Sequence, residues 1–173
     1  MVKACVSISL LAPYFCHDRL AEMESIVNWI YPKPFLNKIV VAPKDIDGLN
    51  HANNACYVNW CEQAAWKHSE YLGLSVEDYK TLDRGMVLHK AEYEYFLPSL
   101  LGDTLSFATW LTKCDQKLRL ERQFQAVKIA TGETVMRGCW SLVCATLSTG
   151  KATRFPEKFL IAYGSRPLPT GML

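Results

Sequence analysis

The stretch that decides the fold runs from Asp45 to Ala64 and reads DIDGLNHANNACYVNWCEQA. Its first half is dense in residues that favour turns and helix caps. Its second half spaces large side chains three and four residues apart, which keeps one face of a helix turned to a core. We therefore predict a polar loop over 45–54 that leads into a long helix ending at Gly73, since glycine tolerates the backbone that follows a helix.

The predicted helix carries seven larger side chains on one face: Tyr57, Trp60, Cys61, Ala64, His68, Tyr71 and Leu72. A second, short helix is predicted from Ser75 to about Leu82, because Ser75 and Asp78 have the spacing of a capping box. Asp78 stands there in place of the usual Glu or Gln.

Strands are predicted on both sides of the long helix. Lys38–Ala42 precedes it, and four further segments follow it, at 86–96, 105–113, 117–129 and 133–147. The order is one strand, a long helix and a meander of four strands, with 133–147 central because it is apolar on both faces. One helix covers only one face of such a sheet. We therefore expect a homodimer or a dimer of dimers, in which a partner subunit covers the other face or an edge strand.

Composition bounds the remaining choices. The chain has 173 residues, 50% of them hydrophobic, and a formal charge of +2, which predicts one globular domain and excludes a disordered chain or a coiled coil. The basic residues are scattered, so we expect no nucleic-acid surface, and no apolar run is long enough to span a bilayer. Seven cysteines without a C-x-x-C pair indicate reduced thiols in a cytoplasmic protein rather than structural zinc.

The two ends of the chain differ from its middle. Residues 1–22 contain a short apolar run after Lys3 that resembles a weak signal peptide, but one positive charge and no clear cleavage site make an ancillary extension the better interpretation. We expect this extension to be dispensable. The domain itself is predicted to cover 23–156, with 157–173 as a surface tail without regular structure.

The polar loop is where chemistry is expected. A helix N-terminus carries unpaired N–H groups and partial positive charge, so it can hold a carbonyl oxygen as negative charge develops. One of the two carboxylates, Asp45 or Asp47, could activate water or attack directly. His51 or the amides of Asn53 and Asn54 could orient the acyl group. The alternative is structural, with Asp47 and Asn54 as helix caps and His51 as a hydrogen-bonded loop residue.

A motif of acidic, imidazole, amide and aromatic residues spans the loop and the first helical turns: Asp45-x-Asp47-x-x-x-His51-x-Asn53-Asn54-x-x-Tyr57-x-x-Trp60-x-Glu62-x-Ala64. It resembles the signature of hot-dog-fold acyl thioesterases, in the branch of 4-hydroxybenzoyl-CoA thioesterase and the acyl-carrier-protein thioesterases. Weaker matches are 94–98 with Gly102 and Asp103, and Thr149–Gly150 with 154–156. The resemblance implies an α+β hot-dog fold, a long central helix wrapped by a five-stranded, mainly antiparallel sheet.

The resemblance also implies roles for individual residues. Asp47 becomes the nucleophile or general base, while His51 and Asn53 position the thioester. The backbone N–H groups of Asn54 and Ala55 form the oxyanion hole. The chain departs from the family variant G-H-V-N-N, because Asn50 replaces Gly and Ala52 replaces Val; Asn is the next most tolerant residue for a left-handed backbone, so the loop shape can survive.

Substrate contacts are expected from Tyr57 and Trp60, which lie nearest the loop, and from His89, which opens a strand. Phe96, Leu97 and Trp110 are expected to add apolar walls to the pocket. These walls predict a substrate with a medium or long, aliphatic or aryl acyl group.

Two arginines on one strand, Arg119 and Arg122, could meet the phosphates of coenzyme A, although exposed strand arginines usually do nothing special. A metal site at Asp45, Asp47 and His51 is not expected, because a solvated loop with one His is more often metal-free.

The sequence thus predicts a thioesterase that hydrolyses an acyl-CoA or acyl-carrier-protein (acyl-ACP) thioester without metal or redox cofactor. Two alternatives stay open: a non-hydrolytic hot-dog protein that binds acyl thioesters, and a hot-dog dehydratase.

Overall fold

A computed structural model describes residues 27–164. The predicted extension 1–22 and the end of the chain after Gly164 lie outside the described residues. In chain order the elements are β1 (Phe35–Val40), α1 (Asn54–Tyr71), α2 (Val76–Thr81), β2 (Arg84–Tyr95), β3 (Thr104–Cys114), β4 (Arg119–Lys128), β5 (Thr134–Thr146) and α3 (Glu157–Tyr163), with a 3-10 turn at Pro43–Asp45. One long helix and five strands were predicted, and both are confirmed.

The five strands form one sheet in the order β1-β3-β4-β5-β2, and every neighbouring pair is antiparallel. The predicted meander of four strands is wrong for its first strand, because β2 pairs with β5 at the far edge rather than with β3. The Gly102–Asp103 turn instead bonds to the residue that follows β1. The Val41 N–H donates to the Asp103 carbonyl, and the Val41 carbonyl accepts from the Gly102 N–H. The middle strand is β4, so β5 lies inside the sheet but not at its centre.

Helix α1 begins after Asn53, whose side-chain oxygen accepts the Ala55 N–H at 2.9 Å. Asn53, rather than Asp47 or Asn54, is therefore the N-cap. The helix ends as predicted, since Gly73 adopts a φ of +86° just beyond it. The predicted core face is buried through His68, but Tyr71 is 71% exposed because it lies at the periphery against Phe35.

Helix α2 has the predicted capping box. Ser75 Oγ accepts the Asp78 N–H, and the Asp78 carboxylate accepts the Ser75 N–H. Both orphan donors at the start of this short helix are thereby paired.

The two faces of the sheet are covered differently. Helix α1 packs on the inner face around Phe107 and Phe124. On the outer face, the Ile30 N–H donates to Gln125 Oε1, and the Trp110 indole N–H donates to the Pro32 carbonyl. The segment before β1 thus covers part of the outer face, which leaves less of it for a partner subunit than the sequence suggested.

The tail 157–173 was predicted to lack regular structure, and this is wrong for its described part. Glu157–Tyr163 forms helix α3, in which Phe159, Ala162 and Tyr163 are buried. Their spacing of three and four residues is the helical pattern that the proline-rich composition of the tail obscured. Within residues 27–164, no helix is both long and apolar enough to cross a membrane.

Candidate active site

The loop between the 3-10 turn and α1 is a small hairpin. Ile46 and Ala52 form an antiparallel bridge, and the Asp47 N–H donates to the His51 carbonyl at 2.9 Å. Asp47 Oδ1 in turn accepts the Leu49 N–H at 2.8 Å and, more weakly, the His51 N–H at 3.5 Å. One oxygen of the Asp47 carboxylate is therefore engaged in holding the loop.

Asn50 lies at the tip of this hairpin with a φ of +62°. This is the left-handed region that glycine adopts most readily and asparagine next. The prediction that Asn can keep the loop shape at this position is confirmed.

The two carboxylates of the loop have different surroundings. Asp45 is buried, and its side chain accepts the Ala42 N–H at 2.9 Å within the 3-10 turn. Its backbone carbonyl accepts the Asn53 N–H at 2.8 Å, which fixes the start of the helix. Asp47 is half-buried and lines an open groove. Asp45 is thus placed to support the loop, and Asp47 is placed to meet a ligand.

The helix N-terminus offers fewer free donors than the sequence suggested. The Ala55 N–H is taken by Asn53 Oδ1, and the Cys56 N–H by the Asn53 carbonyl. The Asn54 N–H has no hydrogen-bond partner within residues 27–164. Of the two N–H groups predicted for the oxyanion hole, the one at Asn54 is unoccupied.

A groove of about 380 Å³ brings most of the predicted site residues together. Its polar side contains Asp47, His51, Asn53 and Asn54, and Tyr57 lies at its base. Its other wall is the segment Tyr95–Pro98 at the end of β2, so Phe96 and Leu97 are placed as the sequence predicted. The volume lies within the range typical of small-molecule sites.

Three residues expected near substrate lie outside this groove. Trp60 is buried behind it, with its ring edge-on to Tyr57 at 4.9 Å. His89 is exposed at a bulge in β2, between Leu88 and Lys90. Trp110 is wrongly placed by the prediction, because it lies beneath Tyr31 and Pro32 on the outer face of the sheet.

Sequence reasoning missed Ser99, which joins both walls of the groove. Ser99 is fully buried, its carbonyl accepts the Ala52 N–H at 2.8 Å, and its hydroxyl accepts the Tyr57 O–H at 2.8 Å. Burial raises the pKa of Tyr57 even though the hydrogen bond with Ser99 acts to lower it. A single serine after Pro98 carries no motif, so nothing in the sequence signalled this role.

Of the two arginines considered for contact with coenzyme A phosphates, Arg122 is not at the surface. Arg122 is only 2% exposed and lies on the inner face of β4 with Leu120 and Phe124, whereas Arg119 is exposed. Its two-residue spacing from Leu120 and Phe124 was the available signal, because alternate residues of a strand share a face.

No group of three His, Cys, Asp or Glu side chains in the described part of the chain is arranged to hold a metal ion. The groove therefore offers a carboxylate, an imidazole, amides and one backbone N–H as its reactive groups.

The sequence model of the thioesterase-like superfamily matches residues 41–162, which include the loop, α1 and all of the sheet except β1. None of the curated proteins is similar enough in sequence to count as a relative.

Solved structures share the fold. A 1,4-dihydroxy-2-naphthoyl-CoA thioesterase from Synechocystis has a TM-score of 0.69 at 19% identity, covering 77% of this chain and 97% of that one. A hypothetical protein from Staphylococcus aureus, solved in complex with CoA, has a TM-score of 0.70 at 21% identity, covering 83% and 92%. YbaW, a probable thioesterase from Escherichia coli, has a TM-score of 0.63 at 23% identity, covering 74% and 98%.

Proposed function

The chain belongs to the thioesterase-like superfamily and has the hot-dog fold, and from that premise we propose that it hydrolyses an acyl thioester of coenzyme A or acyl carrier protein. The observation that carries the proposal is that the Asp47 carboxylate and the unpaired Asn54 N–H line the same groove. The names of the structural neighbours, a CoA thioesterase and a protein solved with CoA, favour CoA as the carrier.

In the proposed reaction Asp47 acts as general base or as nucleophile. As a base, its free oxygen removes a proton from water while the water oxygen bonds to the thioester carbon. The carbonyl oxygen becomes an oxyanion, which the Asn54 N–H and the positive end of α1 stabilise. The C–S bond then breaks, and the proton held by Asp47 passes to the leaving thiolate. As a nucleophile, Asp47 forms an acyl anhydride that water hydrolyses to the same products.

His51 and Asn53 are proposed to position the thioester. Both side chains are exposed at the polar side of the groove, on either side of Ala52. Asn53 also caps the helix through Oδ1, so its amide NH₂ remains to donate to the substrate.

The acyl group is proposed to be medium or long, aliphatic or aromatic. Tyr57, Tyr95, Phe96 and Leu97 give the groove an apolar wall. Each buried methylene contributes about 0.8 kcal/mol, so four methylenes correspond to roughly two orders of magnitude in affinity between acetyl and hexanoyl groups.

A homodimer or a dimer of dimers is proposed, with the groove closed by a second subunit. Strand β2 is 12 residues long and forms one edge of the sheet, where a long unpaired edge is a template for pairing with another chain. Val87, Leu88 and Phe96, on this strand and just beyond it, are exposed apolar residues. Sedimentation equilibrium at micromolar concentration should give a dimer or tetramer, and a monomer would contradict this assembly.

The second candidate is a protein of this fold that binds acyl thioesters without hydrolysing them. It is favoured by the engagement of Asp47 Oδ1 with two backbone N–H groups, which is what a purely structural aspartate would do.

Release of free thiol from a panel of acetyl-, hexanoyl-, decanoyl- and benzoyl-CoA separates these candidates. We expect turnover, a higher kcat/KM for the three larger acyl groups than for acetyl, and no effect of a metal chelator. Binding of the same compounds without thiol release would establish the non-hydrolytic alternative. Faster hydrolysis of acetyl-CoA would contradict the proposed acyl pocket.

A further inference from the structure

A second cavity, of about 100 Å³, lies under the C-terminal half of α1. Trp66, Met86 and Trp140 contribute apolar walls from α1, β2 and β5. Its polar side is formed by Arg122 with hydroxyl groups from Ser69 and Tyr163. One water needs roughly 10–15 Å³ of such space, so this cavity has room for a group larger than a single water.

Arg122 is fully enclosed, yet its hydrogen bonds are incomplete. Nη1 is fully used, since it lies 3.0 Å from His68 Nδ1 and 3.3 Å from Thr109 Oγ1. Nη2 makes one long bond, of 3.5 Å, to Ser69 Oγ. Nε has no partner at all. A guanidinium has five N–H donors. Nε has no accessible surface, so a ligand in the cavity can meet this guanidinium at Nη2 but not at Nε.

The positive charge of Arg122 is also uncompensated. None of the ion pairs within residues 27–164 involves it. Its hydrogen-bond partners are the His68 ring and the hydroxyls of Thr109 and Ser69. Ser69 Oγ in turn accepts from Tyr163 at 2.8 Å, and the Tyr163 hydroxyl lies 2.6 Å from that of Tyr79. Burial lowers the pKa of Arg122, which reflects the cost of holding this charge away from water. Buried charges are usually paired, since an unpaired one is strongly unfavourable.

The geometry points to a binding site for a small organic carboxylate, of which one oxygen accepts from Nη2 of Arg122 and whose apolar body lies against Trp66 and Trp140. A hydrogen bond from a guanidinium to a carboxylate is charge-assisted and roughly twice as strong as one between neutral groups. The small volume and largely apolar walls favour a carboxylate with a short hydrocarbon body over a free phosphate.

This site is separate from the catalytic groove. Ser69 lies 15 residues beyond Asn54 on the same helix, which is roughly 22 Å at 1.5 Å per residue. The two sets of lining residues share no member. Glu62 and Leu88, both exposed, belong to the lining of the cavity and mark the side from which a ligand enters. The inference therefore does not depend on the proposed hydrolysis.

The test is a titration of the full chain with butyrate and with benzoate, in a buffer free of other carboxylates. Calorimetry and the fluorescence of the two cavity tryptophans report binding. We expect one carboxylate per chain, and at least tenfold weaker binding of butyramide and benzamide, which have the same shape without the charge. Inorganic phosphate is the third ligand, and binding of phosphate in preference to both carboxylates would overturn the assigned ligand.

Three variants locate the site. Arg122→Met should abolish carboxylate binding, whereas Arg119→Met, which removes the same charge from the surface of the same strand, should leave it unchanged. Ala65→Leu places extra volume in the cavity without touching the arginine, and it should weaken binding at least tenfold. This variant decides the question if Arg122→Met does not fold. Equal binding by acids and amides, unchanged binding in Ala65→Leu, or no binding by the wild-type chain would each overturn the proposal.

Discussion

At the N-terminal end of helix α1, polar side chains lie around an open groove, whereas under its C-terminal half they are enclosed. Around the groove, His51 and Asn53 are exposed and Asp47 is half-buried. At the enclosed end, Arg122 and Ser69 are buried and joined to other side chains. Both ends belong to the same 18-residue helix.

The difference shows two ways of assembling polar groups. The open end is built from a continuous stretch of chain, 45–54, whose backbone turns hold each side chain. The enclosed end is assembled from α1, α2, β3, β4 and α3, each of which contributes one or two side chains. We therefore expect changes at the open end to alter turnover, and changes at the enclosed end to alter stability.

The largest effect is expected from Asp47→Asn. The amide oxygen can still accept the Leu49 N–H, so the loop keeps its shape, but the charge that would activate water or attack the thioester is lost. Turnover should fall by a factor on the order of 10² to 10⁴, the usual scale for loss of acid–base assistance, with little change in the melting temperature.

Asp45→Asn is the matched control for that experiment. Its side chain is buried against the Ala42 N–H, so this variant should lower stability more than turnover. If Asp45→Asn is the inactive variant, the assignment of the acting carboxylate is two residues out of register. If both variants lose activity only as far as they lose folded protein, the loop has a structural role alone.

Tyr163→Phe probes the enclosed end. The change removes the hydroxyl that joins Tyr79 to Ser69, and both partners are buried or nearly so. Loss of such hydrogen bonds costs about 1–3 kcal/mol, which corresponds to a fall in the melting temperature of roughly 2–12 °C for a chain of this size. Turnover of the folded protein should not change.

Tyr71→Phe removes the same hydroxyl from an exposed position on α1 and should leave the melting temperature unchanged. A loss of turnover in Tyr163→Phe with unchanged stability would break the division between the two ends.

A smaller effect is expected at Asn53, which caps α1 and is also proposed to position the thioester. Asn53→Ala removes the N-cap, which should cost about 1 kcal/mol of unfolding free energy, whereas Asn53→Ser restores a capping oxygen. If the amide positions the thioester, turnover should stay reduced in both variants while only Ser recovers stability. Recovery of both properties in Asn53→Ser would assign Asn53 to capping alone.

The smallest effect is expected at the surface contact between α2 and α3. A hydrogen bond from Lys158, and after it those with Ser75, lowers the pKa of Asp78 from 3.8 to about 2. Because the folded value lies below the unfolded one, this carboxylate favours the folded chain above about pH 4, and its contribution is lost as the pH falls from 4 through 2.

Lys158→Met should therefore reduce the loss of stability between pH 4 and pH 2, as followed by acid unfolding. Lys80→Met, which removes a charge from an exposed position on α2, serves as the control. An identical acid profile in wild type and Lys158→Met would contradict the assigned cause of the Asp78 shift.

The open end could be predicted from the sequence because its information is local. The left-handed Asn50 and the long helix both follow from residues within a few positions of one another, and the cap at Asn53 lies one residue from the predicted Asn54. The capping box of α2 was found for the same reason.

What escaped prediction depends on contacts between distant segments. The pairing of β2 with β5 joins residues such as Arg84 and Thr146, and no local pattern distinguishes it from pairing with β3. Ser99 and Arg122 acquire their roles from partners more than 40 residues away, at Tyr57 and His68. Helix α3 was missed although its apolar spacing was visible, because the prolines around it dominated the interpretation.

The position of Tyr163 on the last described helix has a consequence for the order in which the chain folds during synthesis. Tyr163 and its acceptor Ser69 are 94 residues apart. At about 5–20 residues per second, roughly 5–20 seconds separate the appearance of Ser69 from that of Tyr163 on the ribosome. Arg122 is synthesised in the second half of that interval, and its guanidinium stays accessible to water until α3 docks. The enclosed end of α1 can lose its solvent only at that docking step. The groove end has its main loop contacts as soon as Ser99 has emerged.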